Sequence, residues 1–392
     1  MGGGLAGGYA ANAIRSMDET GLITIVSEEM HRPYDRVPLS KTYLRGALQR
    51  EKLYIRSEEY YRKNRIEPLM GRVVVGLDTA GKTAILDSGE RIRYDKLLLS
   101  TGGRPKRLNV EGSELGGIYY LRTIDDADRI RAAIESADRA VVVGGGFIGC
   151  ETASTLKEKG LDITMVEATN NLLGRVLDQD TASWITSYFR EMGVKLRTGT
   201  SVVRFLGEGG LVSAVEIAGG EILDADMVIV GIGISPRTEL AEKAGLKVDN
   251  GIVVNEYLEA SARDVYAAGD VARFYSPIYR RHIRVEHYDA AVTHGEVAGS
   301  NMAGSRRSYS QPPYFFSNMP SLRMQVYGVI DSYDNVVAVS EASHQFAKFY
   351  LHDRAVDGVL LVNRDVDVES VIQLIASRRQ IHDSSDLAKY LS

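Results

Sequence analysis

The chain of 392 residues is too long for one ordinary hydrophobic core, so two or three domains are expected. Its composition, 44% hydrophobic and 25% charged with a net charge of −5, is that of a globular protein and argues against a general nucleic-acid binder. No apolar run is long enough for a membrane span and no basic-then-apolar leader opens the chain, which makes a cytoplasmic protein the simplest reading. The single cysteine, Cys150, rules out an internal disulfide and a Cys-based metal cluster.

The chain opens on a glycine turn, Gly2-Gly3-Gly4-Leu5-Ala6-Gly7, followed by a small-residue helix through Ile14 and an apolar strand from Leu22 to Val26. The run Lys96 to Gly103 reads as a buried strand entering a turn, and a helix is predicted over 124–136. A second unit then repeats the first pattern: strand Arg139 to Val143, turn Gly144-Gly145-Gly146-Phe147-Ile148-Gly149, a helix to Lys159, and a strand Asp162 to Val166 ending at Glu167. Asp226 to Gly233 and Val265 to Asp270 are further short strands running into glycine turns. After Met302 the texture changes to alternating apolar runs (324–329, 336–339, 359–362) with helices near 368–377 and 385–391. The expected architecture is α/β, with two Rossmann-like dinucleotide-binding domains and a C-terminal α+β domain. The expected boundaries are 1–112 and 236–308 for the first binding domain, 113–235 for the second, and 309–392 for the C-terminal domain.

Strand, glycine turn, helix, strand is the dinucleotide-binding unit. The first glycine allows the tight turn, the second lets backbone approach a pyrophosphate, and the third packs helix on strand. The helix N-terminus then offers free N–H groups to the phosphates. Glu167 lies roughly twenty residues past the second turn, where an acid accepts hydrogen bonds from a ribose 2′-OH and repels a 2′-phosphate. NADH is therefore expected over NADPH, although the nearby Arg175 is a cation that could accept the extra phosphate. In the first unit the acid is Glu28 or Glu29; Glu28 is preferred, because Glu29 reads equally well as a solvated surface charge. That unit lacks its first strand. Only Met1 precedes the glycines, whereas a strand needs about five or six residues. Either the natural gene product is longer at its N-terminus or the first dinucleotide is held poorly, with a central slot left empty and ladder bonds lost on both sides.

Taken together, these segments resemble the FAD-dependent pyridine-nucleotide oxidoreductases, in particular their ferredoxin- and rubredoxin-reductase branch. The resemblance rests on Gly2 to Gly7, Arg32-Pro33-Tyr34-Asp35-Arg36-Val37-Pro38-Leu39-Ser40-Lys41, Thr101 to Pro105, Gly144 to Glu151, Gly231 to Pro236, Tyr266 to Asp270, and Arg284-Val285-Glu286-His287-Tyr288. It covers roughly residues 2–310 well and the tail loosely. It implies that Gly2, Gly4 and Gly7 cradle an FAD pyrophosphate, Glu28 holds its ribose, and Arg36 and Lys41 lie along it with Lys41 near flavin N5. Asp270 would bind the ribityl chain, with His287 and Tyr288 near the ring at the start of a helix. Gly144, Gly146, Gly149, Glu151 and Glu167 would bind NADH. The family's basic residue after Thr-Gly-x-x-Pro matches Lys106, and an aromatic pair in the tail matches Tyr314 and Phe316.

A lysine in a dry site needs a counter-charge, and Glu151 is the candidate; these two are the expected catalytic pair. The plainer alternative is a solvated lysine and an ordinary helix acid. With no Cys-x-x-x-x-Cys, disulfide reduction is excluded, and Cys150 in the second turn reads as a packing residue. Electrons should then leave the flavin directly, which favours a ferredoxin or rubredoxin acceptor. The alternatives are an NADH oxidase or quinone reductase, a redox-sensing flavoprotein of the apoptosis-inducing-factor type, and a nucleotide-free scaffold. Arg280, Arg281, His282, Arg284, Arg306 and Arg307 are candidate docking charges for an acidic partner, or simply a solvated run. No nucleic acid and no membrane span are expected, no metal site is assigned, and a homodimer is compatible with the resemblance.

Overall fold

The computed structural model describes residues 1–342 and 344–391. The first glycine turn enters the helix Leu5–Met17, which leads to the strand Ile23–Ser27. That strand pairs in parallel with Ile66–Met70, and Leu97–Leu99 pairs in parallel with Val265–Ala267. These are two separate two-stranded sheets, so the central strand of an ordinary dinucleotide-binding sheet is missing between them. Met1 and Gly2 supply the link. The Met1 nitrogen donates to Leu98 O (2.7 Å), Ser100 N donates to Met1 O (2.8 Å), and Gly2 N donates to Val26 O (2.8 Å). The flanking Ile25, Val26, Leu98 and Leu99 are nonetheless buried; Leu98 and Leu99 share a core with Leu5, Ala6 and Ala10 of the following helix, and Ile25 shares one with Ala11 of the same helix. The expected loss of ladder bonds is seen, and the residues that flank the expected empty slot are buried.

The second unit is complete. Its parallel sheet runs Lys195–Thr198, Asp162–Glu167, Arg139–Val143, Met227–Val230, Ile118–Tyr119. Arg139–Val143 is buried on both faces past its first residue, which is why it reads as an unbroken apolar run rather than an alternating one. The helix Ile124–Ile134 begins at a capping box between Thr123 and Asp126, and Phe147–Glu158 begins at Gly146. A short antiparallel pair, Gly103–Pro105 with Ile234–Pro236, connects the two units.

Residues 314–362 form an antiparallel sheet in the order Tyr314–Met319, Leu322–Gly328, Ala355–Val362, Gln345–His352, Asn335–Ala342, backed by the helix Val368–Ser377. The last segment, Ser384–Leu391, forms 3-10 turns rather than the expected helix. Eight residues are too few to hold a helix by propensity, so the docking of Leu387 and Leu391 sets its form. No helix among the described residues is long and apolar enough to cross a membrane.

One buried polar group ties the C-terminal sheet to the second unit. Asp178, which caps the helix Gln179–Glu191, accepts from Lys348 Nζ (2.6 Å), from Thr181 Oγ1 (2.7 Å) and from the Tyr350 hydroxyl. Burial alone would raise its pKa, but Lys348, Tyr350 and Thr181 hold it down to about 2. Removing the carboxylate strands a nearly buried lysine, so Asp178→Asn should cost roughly 3 kcal/mol in denaturant melts. Because the folded pKa is depressed, the wild-type pair stabilises fully above the unfolded value of ~3.9 and its contribution is lost as pH falls from ~4 to ~2. The variant should lack that share of the acid loss, and equal stability of the two proteins at neutral pH would refute the tie.

Candidate active site

The two glycine turns have the same steric plan. Gly2 (φ +111°) and Gly144 (φ +105°) hold backbone angles that side chains resist. A Cβ on Gly2 would stand 2.0 Å from Ser100 O, and one on Gly144 2.4 Å from Gly231 O. Gly7 and Gly149 pack the helix onto the turn: a Cβ there would meet Gly2 O at 2.1 Å and Gly144 O at 1.9 Å. Gly4 and Gly146 differ, with nothing within 4 Å, and each begins its helix without a side-chain cap. Open space in front of free helix N–H groups is what a pyrophosphate requires, so both turns fit a dinucleotide.

The strand ends differ between the units. Glu167 staples its turn, accepting from Gly145 N (2.6 Å), Thr169 N (2.7 Å) and Thr169 Oγ1 (2.8 Å). The matching place beside Gly3 is taken by Ser27, and Glu28 comes one residue later, exposed and ion-paired with Arg237. Glu29 is not a surface charge. It accepts from Arg36 (2.5 Å) and from Tyr34 OH (2.5 Å), and although burial opposes its charge, Arg36 holds its pKa below the usual range.

A single cleft of ≈ 980 Å³ runs from the first turn to the C-terminal sheet, at the upper end of small-molecule sites, which reach roughly 1,000 Å³. It brings together Gly2, Gly4, Glu28, Arg36, Lys41, Glu151, Asp270, His287 and Tyr288. Gly7 and Gly149 pack behind the turns. Gly144, Gly146 and Glu167 lie outside the cleft, and only Phe147, Ile148 and Glu151 of their helix enter it. Lys106 is exposed and does not line the cleft; Arg104 and Arg107, on either side of it, do.

At the inner end, Asp270 accepts from Arg122 (2.9 Å), and its carbonyl accepts from Arg284 (3.1 Å), which also pairs with Glu286 (2.8 Å). His287 caps the helix Tyr288–Met302 without a side-chain bond, leaving that N-terminus open. Its Nδ1 is buried without a hydrogen-bond partner, and burial pushes its pKa down to about 4, so the ring is neutral near pH 7. Glu151 is 7% exposed. It accepts from Lys41 (2.8 Å), Ser40 Oγ (2.6 Å) and Ser317 Oγ (2.6 Å). Lys41 is thus a paired, largely enclosed lysine rather than a solvated one. Cys150 is fully buried with Sγ against Gly145 O (3.5 Å), and burial raises its pKa further from reactivity.

The arginines proposed for docking are mostly engaged elsewhere. Arg284 is held by the Asp270 carbonyl and Glu286, and Arg281 pairs with Asp331 (2.6 Å). Arg306 and Arg307 follow the far end of the helix Tyr288–Met302, whose fifteen residues span about 22 Å, so they do not rim its N-terminal, inner end. Sequence reading missed Arg122, Ser40 and Ser317. Arg122 carried a usable signal, an arginine directly before a helix cap, whereas a lone serine 166 positions from its partner carries none.

Comparison with known proteins gives a family match over both parts of the chain. Residues 1–295 match the model described as pyridine nucleotide-disulphide oxidoreductase, and residues 314–389 match that described as reductase C-terminal. The chain is 33% identical over 337 residues to the rubredoxin-NAD(+) reductase of Ectopseudomonas oleovorans, covering 86% of this chain and 88% of the relative. It is 34% identical over 381 residues to the biphenyl dioxygenase system ferredoxin–NAD(+) reductase component of Paraburkholderia xenovorans, covering 96% and 92%. Its fold superposes on the reductase in the crystal structure of the covalent putidaredoxin reductase–putidaredoxin complex with a TM-score of 0.94 at 34% identity, covering 100% of this chain and 96% of that one.

The open space at Gly4 and Gly146 makes a specific prediction. Gly4→Ala should fold, at about 1 kcal/mol or less for the poorer cap, yet release flavin at least about tenfold more readily because the methyl stands where phosphate must approach. Gly146→Ala should keep its yellow colour and raise the half-saturating NADH concentration by about tenfold. Flavin fluorescence after dilution and NADH titration measure these; wild-type retention by Gly4→Ala would show that the first turn does not hold the phosphates.

Proposed function

Because the chain belongs to the pyridine nucleotide-disulphide oxidoreductase family, we propose that it takes hydride from NADH onto bound FAD and passes the electrons to a small iron–sulfur protein of the ferredoxin or rubredoxin type. The observation that carries the reading is the enclosed Lys41–Glu151 pair at the inner end of a dinucleotide cleft, in a chain whose only thiol is buried. The disulphide half of the family's chemistry has no residues here. FAD, when bound, supplies the acceptor for hydride and the donor for single electrons.

The chain's own residues do the rest. Gly2 and Gly4, with the uncapped helix behind them, would hold the FAD phosphates, and Asp270 with Arg122 would hold its hydroxyl chain. The open N-terminus beyond His287 would stabilise negative charge on the reduced cofactor. His287, neutral above pH ~4, adds no positive charge there, so that stabilisation would fall to the helix N–H groups. Lys41 and Glu151 would fix the electrostatics where the hydride arrives, and the second turn with Glu167 would orient NADH. We take residues 1–112 and 236–308 as the FAD part, 113–235 as the NADH part and 309–392 as the interface part, and place the protein in the cytoplasm.

Two measurements test this. Stopped-flow mixing of NADH-reduced protein with an acidic ferredoxin should reoxidise the flavin faster than oxygen or a quinone does, and the rate should fall as salt screens exposed charges beyond about 8 Å at 0.15 M. Faster reoxidation by oxygen or quinone, without salt dependence, would instead support an NADH oxidase or quinone reductase. NADH should be preferred over NADPH, and Glu167→Arg should move the ratio of kcat/KM by about tenfold toward NADPH, or ~1.4 kcal/mol. A wild-type preference for NADPH would contradict the role of Glu167.

A further inference from the structure

We propose that Ser317 is a positioning residue for the hydride reaction: through the Glu151 carboxylate it fixes where the Lys41 ammonium stands. The proposal rests on the function given above.

Glu151 has two oxygens and three donors. Oε2 takes the Ser40 hydroxyl at 2.6 Å, while Oε1 takes both Lys41 Nζ at 2.8 Å and the Ser317 hydroxyl at 2.6 Å. Lys41 and Ser317 therefore share one oxygen. With Ser40 and Lys41 alone, two donors from adjacent residues, the carboxylate plane could turn and carry the ammonium with it. The third donor comes from a different direction, since it belongs to the C-terminal sheet, and closes that freedom. Ser40 is itself held, because its carbonyl accepts from Thr155 on the same helix as Glu151 (2.8 Å).

The strand Tyr314–Met319 is well placed for this task. Ser317 is wholly buried, and its register is set by pairing with Met324. Two residues earlier and on the same face, Phe315 packs between Phe147 (5.1 Å between centroids) and His287 (4.7 Å), so the strand is pinned beside the site. On the opposite face Phe316 stands 5.5 Å from the Lys41 ammonium. Successive residues of one strand thus bound Lys41, one directly and one through Glu151. The redox end of the cleft is incomplete without the C-terminal sheet.

The test uses full-length holoprotein carrying Ser317→Ala, Ser317→Thr, Glu151→Gln and the double variant Ser317→Ala/Glu151→Gln. Ser317→Ala should reduce flavin at saturating NADH about tenfold more slowly, with half-saturation unchanged. Ser317→Thr should restore the rate, and in the Glu151→Gln background Ser317→Ala should add no further slowing. A wild-type rate in Ser317→Ala, failure of threonine to rescue, or additive slowing in the double variant would each overturn the proposal. Should Ser317→Ala not fold, Ser317→Cys keeps the volume, weakens the donor and faces the same comparisons. If NADH fails to reduce the wild-type flavin, the reaction assigned above is wrong. The flavin potential, titrated chemically without NADH, then decides on Ser317: a shift reversed by threonine supports it, and no shift overturns it.

Discussion

A carboxylate as enclosed as Glu151 cannot keep its charge unless donors replace the water it has lost. The donors are Ser40 and Lys41 from the Val37–Ser40 turn and its cap, and Ser317 from the C-terminal sheet, while Glu151 itself stands on the second glycine helix. Three parts of the chain far apart in sequence must therefore be in place before this one charge is satisfied. A charge left half-satisfied in such a place costs more than an apolar core would, so the geometry is specified tightly rather than merely allowed. The Phe147–Phe315 contact and the Asp178–Lys348 pair repeat the same tie between the second unit and the sheet. The cleft is in this sense a consequence of how the parts are fastened.

What could be read from the sequence was what short-range sterics dictate. The spacing from the first to the last glycine of each turn follows from backbone contacts five residues apart, which the structure shows between Gly7 and Gly2 and between Gly149 and Gly144, whereas the strands that crowd Gly2 and Gly144 come from far along the chain, at Ser100 and Gly231. The Lys41–Glu151 pairing was anticipated by charge balance once the family resemblance had put Lys41 in a dry site. The failures were of reach and direction. Glu28 and Glu29 are adjacent acids, and only the fold shows that Glu29 turns inward to Arg36 while Glu28 stays exposed. Lys106 stays exposed while Arg104 and Arg107 line the cleft, a difference that the motif's spacing does not carry. Arg306 and Arg307 are close in sequence to a helix that starts at the cleft, but the helix carries the chain away from it.

The two glycine units also show how one motif is anchored in two ways. In the second, Glu167 holds the turn from the strand that follows the helix. In the first, Ser27 sits at that place, and the turn is held from the other side by Ser100, whose hydroxyl lies 3.0 Å from Met1 O and 3.1 Å from Gly2 O. Glu167 is thus ordered before any ligand arrives, with lone-pair capacity left beyond the three bonds it makes. For Glu28 to take a ribose it would first have to leave Arg237, but an exposed pair of this kind is worth only ~0–1 kcal/mol, so the step would be a small obstacle. The heavier constraint on the first unit lies further along the cleft, where Asp270 is already engaged by Arg122 and Arg36 by Glu29. Side chains that hold one another in this way lose little freedom when a long, charged cofactor is laid across them. Its binding is then decided by fit along the whole cleft rather than by any one acid at its mouth.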